Sequence, residues 1–142
     1  MRRLTALAAS ACLLLGIAVL TAPAAQAGKA HFIKNAFEVS RSGDSLTVSG
    51  KEAGLGNLDQ VHIVVEATAA CVNPGGNRPQ AANKQTVAAG DDFPVQNGKA
   101  DFTLTVTADF QPRCSPPMSV VFSDITVTDT TNGVTARLRG VF

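Results

Sequence analysis

From residue 28 onward the chain alternates apolar and polar positions with a period of two, and helical periodicity is nearly absent. Successive side chains of a strand point to opposite sides, so this period marks strands with one buried face. In VHIVVEATAAC, Val61, Ile63, Val65, Ala67 and Ala69 share one side, while His62, Glu66 and Thr68 share the other, with Val64 an apolar exception. In ADFTLTVT, Ala100, Phe102, Leu104 and Val106 face inward and Asp101, Thr103, Thr105 and Thr107 outward. The enrichment in Val, Thr and Phe fits a pleated, half-buried surface.

Three turn signals predict hairpins whose registers can be checked for matching faces. Asn132-Gly133 pairs Thr131 with Val134 and Val127 with Leu138. Asn97-Gly98 pairs Val95 with Ala100 and Phe93 with Phe102. Ser42-Gly43, a weaker signal, pairs Val39 with Leu46 and Phe37 with Val48. In each hairpin apolar residues meet apolar ones, as a buried face requires. Between Met118 and Thr128 the phase breaks, since Val120 and Phe122 alternate one step out from Ile125 and Val127. A β-bulge near Ser123-Asp124 reconciles them; it either re-aims Asp124 into a site or simply coils the strand. These elements predict an all-β fold: a single immunoglobulin-like antiparallel β-sandwich of about seven strands over residues 28–142. The chain has no Trp, so the buried Trp of antibody domains is missing.

The amino terminus reads differently. MRRLTALAASACLLLGIAVLTAPAAQA joins two arginines, an apolar run and a small-x-small ending, the three parts of a secretory signal peptide. The expected domain division is a signal peptide at 1–27 and a secreted β-sandwich at 28–142, with cleavage after Ala27. Removal of Arg2 and Arg3 from the 12 Lys and Arg leaves 10 against 11 acids. That balance predicts no nucleic-acid partner, and no second long apolar run follows, so no membrane contact is expected after signal cleavage. Export also settles how the cysteines are read. Cys12 leaves with the signal, and Cys71 and Cys114 then have one possible intramolecular pairing.

The bridge constrains topology. Were Lys84 to Gln96 one strand, kinked at Gly90-Asp91-Asp92, Cys114 would return to the end of the sandwich where Cys71 sits. Two separate strands would send it to the opposite end. A disulfide admits Cα atoms only about 4.4–6.8 Å apart, so one kinked strand is expected. The prolines at 112, 116 and 117 keep Cys114 out of a central strand.

Signatures of catalysis are absent. No GxSxG, HExxH or CxxC occurs, and His31 and His62 are the only histidines. No cofactor fingerprint and no catalytic or metal-ligating set is predicted. Asp91, Asp92, Asp124 and Asp129 could supply oxygen ligands to calcium, but the spacing of a calcium loop is missing. The expected function is therefore non-enzymatic: an extracellular binding or surface-interaction module. Its site is predicted in the loops joined by the bridge, 72–83 and 108–117, where Arg41, Asn73, Asn77, Arg78, Gln80, Asn83 and Arg113 would offer cations and amides. Such groups suit a glycan, a cell-wall component or a protein, though they also serve simply to solvate loops. The alternatives are a secreted protease inhibitor, presenting Arg113 beside Cys114, and a small secreted hydrolase.

The leader, CVNPGGNRPQAANK, DFPVQNGKA, CSPPM and VTDTTNG together resemble the small secreted proteins of high-GC Gram-positive bacteria, a group that implies no particular activity. LTVSG is similar to a strand of the enediyne-binding apoproteins, immunoglobulin-like sandwiches with two disulfides and an apolar pocket. Secreted subtilisin inhibitors are similar in size and present a disulfide-braced loop, with a different cysteine pattern.

Overall fold

The computed structural model describes residues 28–75 and 83–142. The expected signal peptide, and Asn77, Arg78 and Gln80, lie outside the described residues. Eight strands form among those described: β1 (His31–Phe32), β2 (Glu38–Ser42), β3 (Ser45–Ala53), β4 (Gln60–Val72), β5 (Lys84–Pro94), β6 (Lys99–Thr107), β7 (Ser119–Asp129) and β8 (Val134–Leu138). All pairings are antiparallel. In one sheet β3 is central, with β6 on one side and β1 and β2 sharing the other. The second sheet runs β5-β4-β7-β8. The predicted inward faces of β4 and β6 are buried, together with Leu46 and Val48 of β3 and Val120, Phe122, Ile125 and Val127 of β7.

Two features of the sequence reading hold in detail. Residues Lys84–Pro94 are one continuous strand, paired along its length with β4. The phase break in β7 is a bulge: Glu66 faces Thr126 and Thr68 faces Ser123, so Asp124 and Ile125 together oppose Ala67. Asp124 takes the left-handed conformation, φ +52°, which returns Ile125 to the core.

Two hairpin registers need correction, and the third holds only at the first pair beyond its turn. The β2–β3 turn is Gly43-Asp44, with Ser42 opposite Ser45 and Val39 opposite Val48. The slip puts Gly43, φ +56°, at the first central position, where the backbone favours glycine. Asp129 pairs with Val134 and Val127 with Ala136, so the β7–β8 loop has four residues, not two. The Asp129 carboxylate supports that loop by accepting from the Thr131 N–H at 2.8 Å and the Asn132 N–H at 3.3 Å. Both slips are of two residues, which preserves the buried face. At Asn97-Gly98 the turn forms, but only Gln96 and Lys99 pair beyond it. The Val95 N–H turns instead to the Asp59 carbonyl at 2.9 Å. β5 and β6 therefore belong to different sheets. Phe93 and Phe102 meet face to edge across the interior, with ring centroids 6.0 Å apart.

This corner fastens the sandwich along its β5/β6 side. Phe102 also contacts Phe32 and Phe37, with centroids 5.9 and 6.2 Å away. Gly50 makes room for the cluster, because a Cβ there would lie 2.7 Å from the Phe102 ring. The opposite side, between β2 and β8, has no such corner.

Candidate functional site: a groove along the open side of the sandwich

The open side is a groove of about 760 Å³, within the range of small-molecule sites. Its apolar lining comes from two edges. Phe32, Phe37 and Val39 line one wall, and Val134, Ala136 and Leu138 the other. The second set arises from simple alternation: β8 turns 134, 136 and 138 toward the buried Asp129, Val127 and Ile125, and turns Thr135 and Arg137 outward. Phe142 closes part of the groove, held by reciprocal backbone bonds with Phe122 at 2.9 and 3.0 Å.

The rim is basic. His31, Lys34, Arg137 and Arg139 line the groove, and no Asp or Glu does. Among the described residues the ion pairs are Lys51–Asp101 and His62–Asp92, so Lys34, Arg137 and Arg139 have no carboxylate partner there. Arg137 and Arg139 also border a smaller adjoining hollow of about 400 Å³, which contains Asp124 and the exposed Val141. Arg41 occupies the next inward position of β2 after Val39. Its Nη1 donates to the Val120 carbonyl at 2.7 Å, tying β2 to β7 across the sandwich.

Behind the lower end of the groove lies a buried acid pair. Glu52 is the β3 partner of Phe32, and Asp129 is the β7 partner of Val134. Both carboxyls are fully buried. The Asn132 Nδ2 donates to Asp129 at 2.5 Å, adding to the two backbone donors. Among the described residues no donor reaches either Glu52 oxygen. With Asp129 facing it, the hydrogen bond open to Glu52 is one it makes as a neutral acid donating to Asp129. Burial, then the Asp129 charge and this hydrogen bond, raise the Glu52 pKa from 4.5 to about 8.

Sequence reasoning placed the site at the bridged end. Cys71 and Cys114 are joined there, with Cα atoms 5.7 Å apart. Asn73, Asn83 and Arg113 are exposed, and their side chains make no hydrogen bond to one another. The Gln85 amide, oriented to satisfy both groups, holds the Asp109 backbone at 3.0 and 2.7 Å. Of the predicted cations and amides among the described residues, Arg41 makes a side-chain hydrogen bond, the strut to Val120.

Two of the residues considered for chemistry form a pair that the sequence reading missed. His62 Nδ1 lies 2.7 Å from Asp92 Oδ1, and Gln60 Nε2 donates to the other Asp92 oxygen at 3.3 Å. The other ring nitrogen faces Gly90, where even a Cβ would lie 3.1 Å from it. A serine nucleophile would have to hydrogen-bond that nitrogen, and among the described residues no hydroxyl does. No three His, Cys, Asp or Glu side chains converge to hold a metal among the described residues. Among the same residues no helix is long and apolar enough to cross a membrane.

No protein-family model matches the chain, and no curated protein is significantly similar to it. The functional reading therefore rests on the geometry of the groove.

Proposed function

We propose that the protein is an exported, non-catalytic binding module that takes its ligand in the groove between β2 and β8. The observation that carries this reading is an apolar concavity with a basic rim whose Lys34, Arg137 and Arg139 have no carboxylate partner among the described residues. Export by cleavage of residues 1–27 would place the Cys71–Cys114 bridge in an oxidising compartment, which suits it. An immunoglobulin-like topology is supported by the strand order, in which β2-β3-β6 faces β5-β4-β7-β8. The binding surface then differs from the loops expected from sequence, because the groove offers an apolar cavity, whereas Asn73, Asn83 and Arg113 of those loops are polar groups in solvent.

A neutral apolar dye such as Nile red tests the groove. Binding should be saturable in the wild-type protein and lost in Ala136→Trp, which fills the cavity. Thr105→Trp, on the outer face of the other sheet, should bind as the wild type does. Unchanged binding in a folded Ala136→Trp protein would overturn the assignment. Arg113, exposed beside the bridged Cys114, favours a protease inhibitor as the second reading. Titration against trypsin-type enzymes without inhibition at micromolar concentration removes it.

A further inference from the structure

The rim charges and the shape of the groove narrow the ligand further, on the reading that the groove is the site. We infer that it takes a single-chain amphipathic carboxylate, with the hydrocarbon body between the two sheet edges and the carboxylate among Lys34, Arg137 and Arg139.

Three observations lead there. First, the lining separates by chemistry. The apolar lining comes from Phe32 of β1, Phe37 just ahead of β2, Val39 of β2, the inward positions of β8 and Phe142, whereas Arg137 stands on an outward position of β8 and Arg139 just beyond its end. A ligand lying along the floor would therefore meet cations only at its edge, which matches a molecule charged at one end. Second, the charged side chains are of one sign: the groove is lined by His31, Lys34, Arg137 and Arg139 and by no Asp or Glu. Arginine suits a carboxylate in particular, since its planar fork offers two parallel N–H donors. Third, the apolar surface is recessed. Phe32 is buried, and Phe37, Val39, Ala136 and Leu138 are half-buried between the walls, while Val141 is the one large apolar side chain strongly exposed among the described residues. A bilayer would need apolar side chains that protrude, so a monomeric ligand entering the groove is the better match. A peptide strand added to the β8 edge would rely on main-chain bonds and would not require the cations.

The test compares three probes with the same hydrocarbon tail: dodecanoate, dodecanol and dodecyltrimethylammonium, each below its aggregation threshold. Calorimetry or Nile red displacement should show dodecanoate binding at least tenfold tighter than the other two. The preference should shrink as salt is raised, because exposed charges are screened. Arg137→Glu/Arg139→Glu should remove at least tenfold of dodecanoate affinity and leave dodecanol unchanged. A thermal melt with the disulfide intact would establish that the variant folds. Equal binding of all three probes, with Ala136→Trp still abolishing it, would leave the groove as the site and overturn the carboxylate. Absence of binding by every probe, Nile red included, would overturn the groove itself. Binding of anionic vesicles without binding of monomeric dodecanoate would assign the surface to a membrane and overturn the inference.

Discussion

Glu52 is the least expected residue in the core. A strand alternation that buries Leu46, Val48 and Gly50 puts position 52 inside as well, and the chain places a carboxyl there. The fold tolerates it by keeping it neutral against Asp129. Because its folded pKa of about 8 lies above the ordinary 4.5, protonated Glu52 contributes its full stabilisation below pH 4.5. That contribution falls as pH rises toward 8, by about 1.4 kcal/mol per pH unit. Urea unfolding across this window should show wild-type stability declining relative to Glu52→Gln, with the difference levelling off above pH 8. The amide cannot ionise and can still donate to Asp129, so Glu52→Gln should be the more stable protein at pH 8. Parallel pH profiles for the two proteins would contradict the buried acid pair. Gly50 gives a second residue-scale expectation. A methyl at 2.7 Å from the Phe102 ring cannot be accommodated without displacing the aromatic cluster. Gly50→Ala should therefore cost about 1–3 kcal/mol as an overpacked core, measured by the same unfolding method.

The strands themselves were legible because their side chains alternate strictly. Val61 to Ala69 and Ala100 to Val106 needed no tertiary information to be assigned their buried faces. The bulge was legible for the same reason: a break in phase has few physical solutions. Registers were less so. Asp129 builds a wider loop than Asn132-Gly133 implies, and nothing local to Asn97-Gly98 tells that Phe93 and Phe102 lie in different sheets. The groove was hidden for a related reason. Val134, Ala136 and Leu138 read as ordinary inward positions, and only the sheet order reveals that β8 is an edge with β2 across a gap. Arg41 was visible as a cation but not as a strut. Its bond to the Val120 carbonyl joins the two sheets next to the groove, so Arg41→Ala should loosen that edge. A bond to a charged donor contributes about 1.5–3 kcal/mol when well shielded, and partial exposure puts the expected loss near the lower end. Hydrogen exchange should quicken in β2 and hardly change in β4. Equal exchange in both proteins would show that the strut holds nothing.

At the scale of the whole molecule, the two ends and two sides of the sandwich are secured by different means. The β5/β6 side has a continuous corner with aromatic rings packed inside it, and the end away from the groove's acid pair has the covalent bridge. The bridge closes a sequence separation of 43 residues, which in the chain-entropy account limits the unfolded state by about 4 kcal/mol. That is a large share of the net stability of a small domain. Yet the groove residues fall within 31–39 and 134–142, and neither cysteine lies in those segments. Binding and bridging should therefore separate. Reduction of the purified protein should add two protons to its intact mass and lower its unfolding midpoint. The loops around Asn73 and Arg113 should loosen first, since the bridge anchors them. Below the new midpoint, Nile red should still bind in the groove with nearly unchanged affinity, because β8 remains held by β7 and β2 by β3. Loss of binding in reduced protein that is still folded would show that the bridged end and the groove act as one unit. Free thiols in the protein purified under oxidising conditions would contradict the covalent tie at that end.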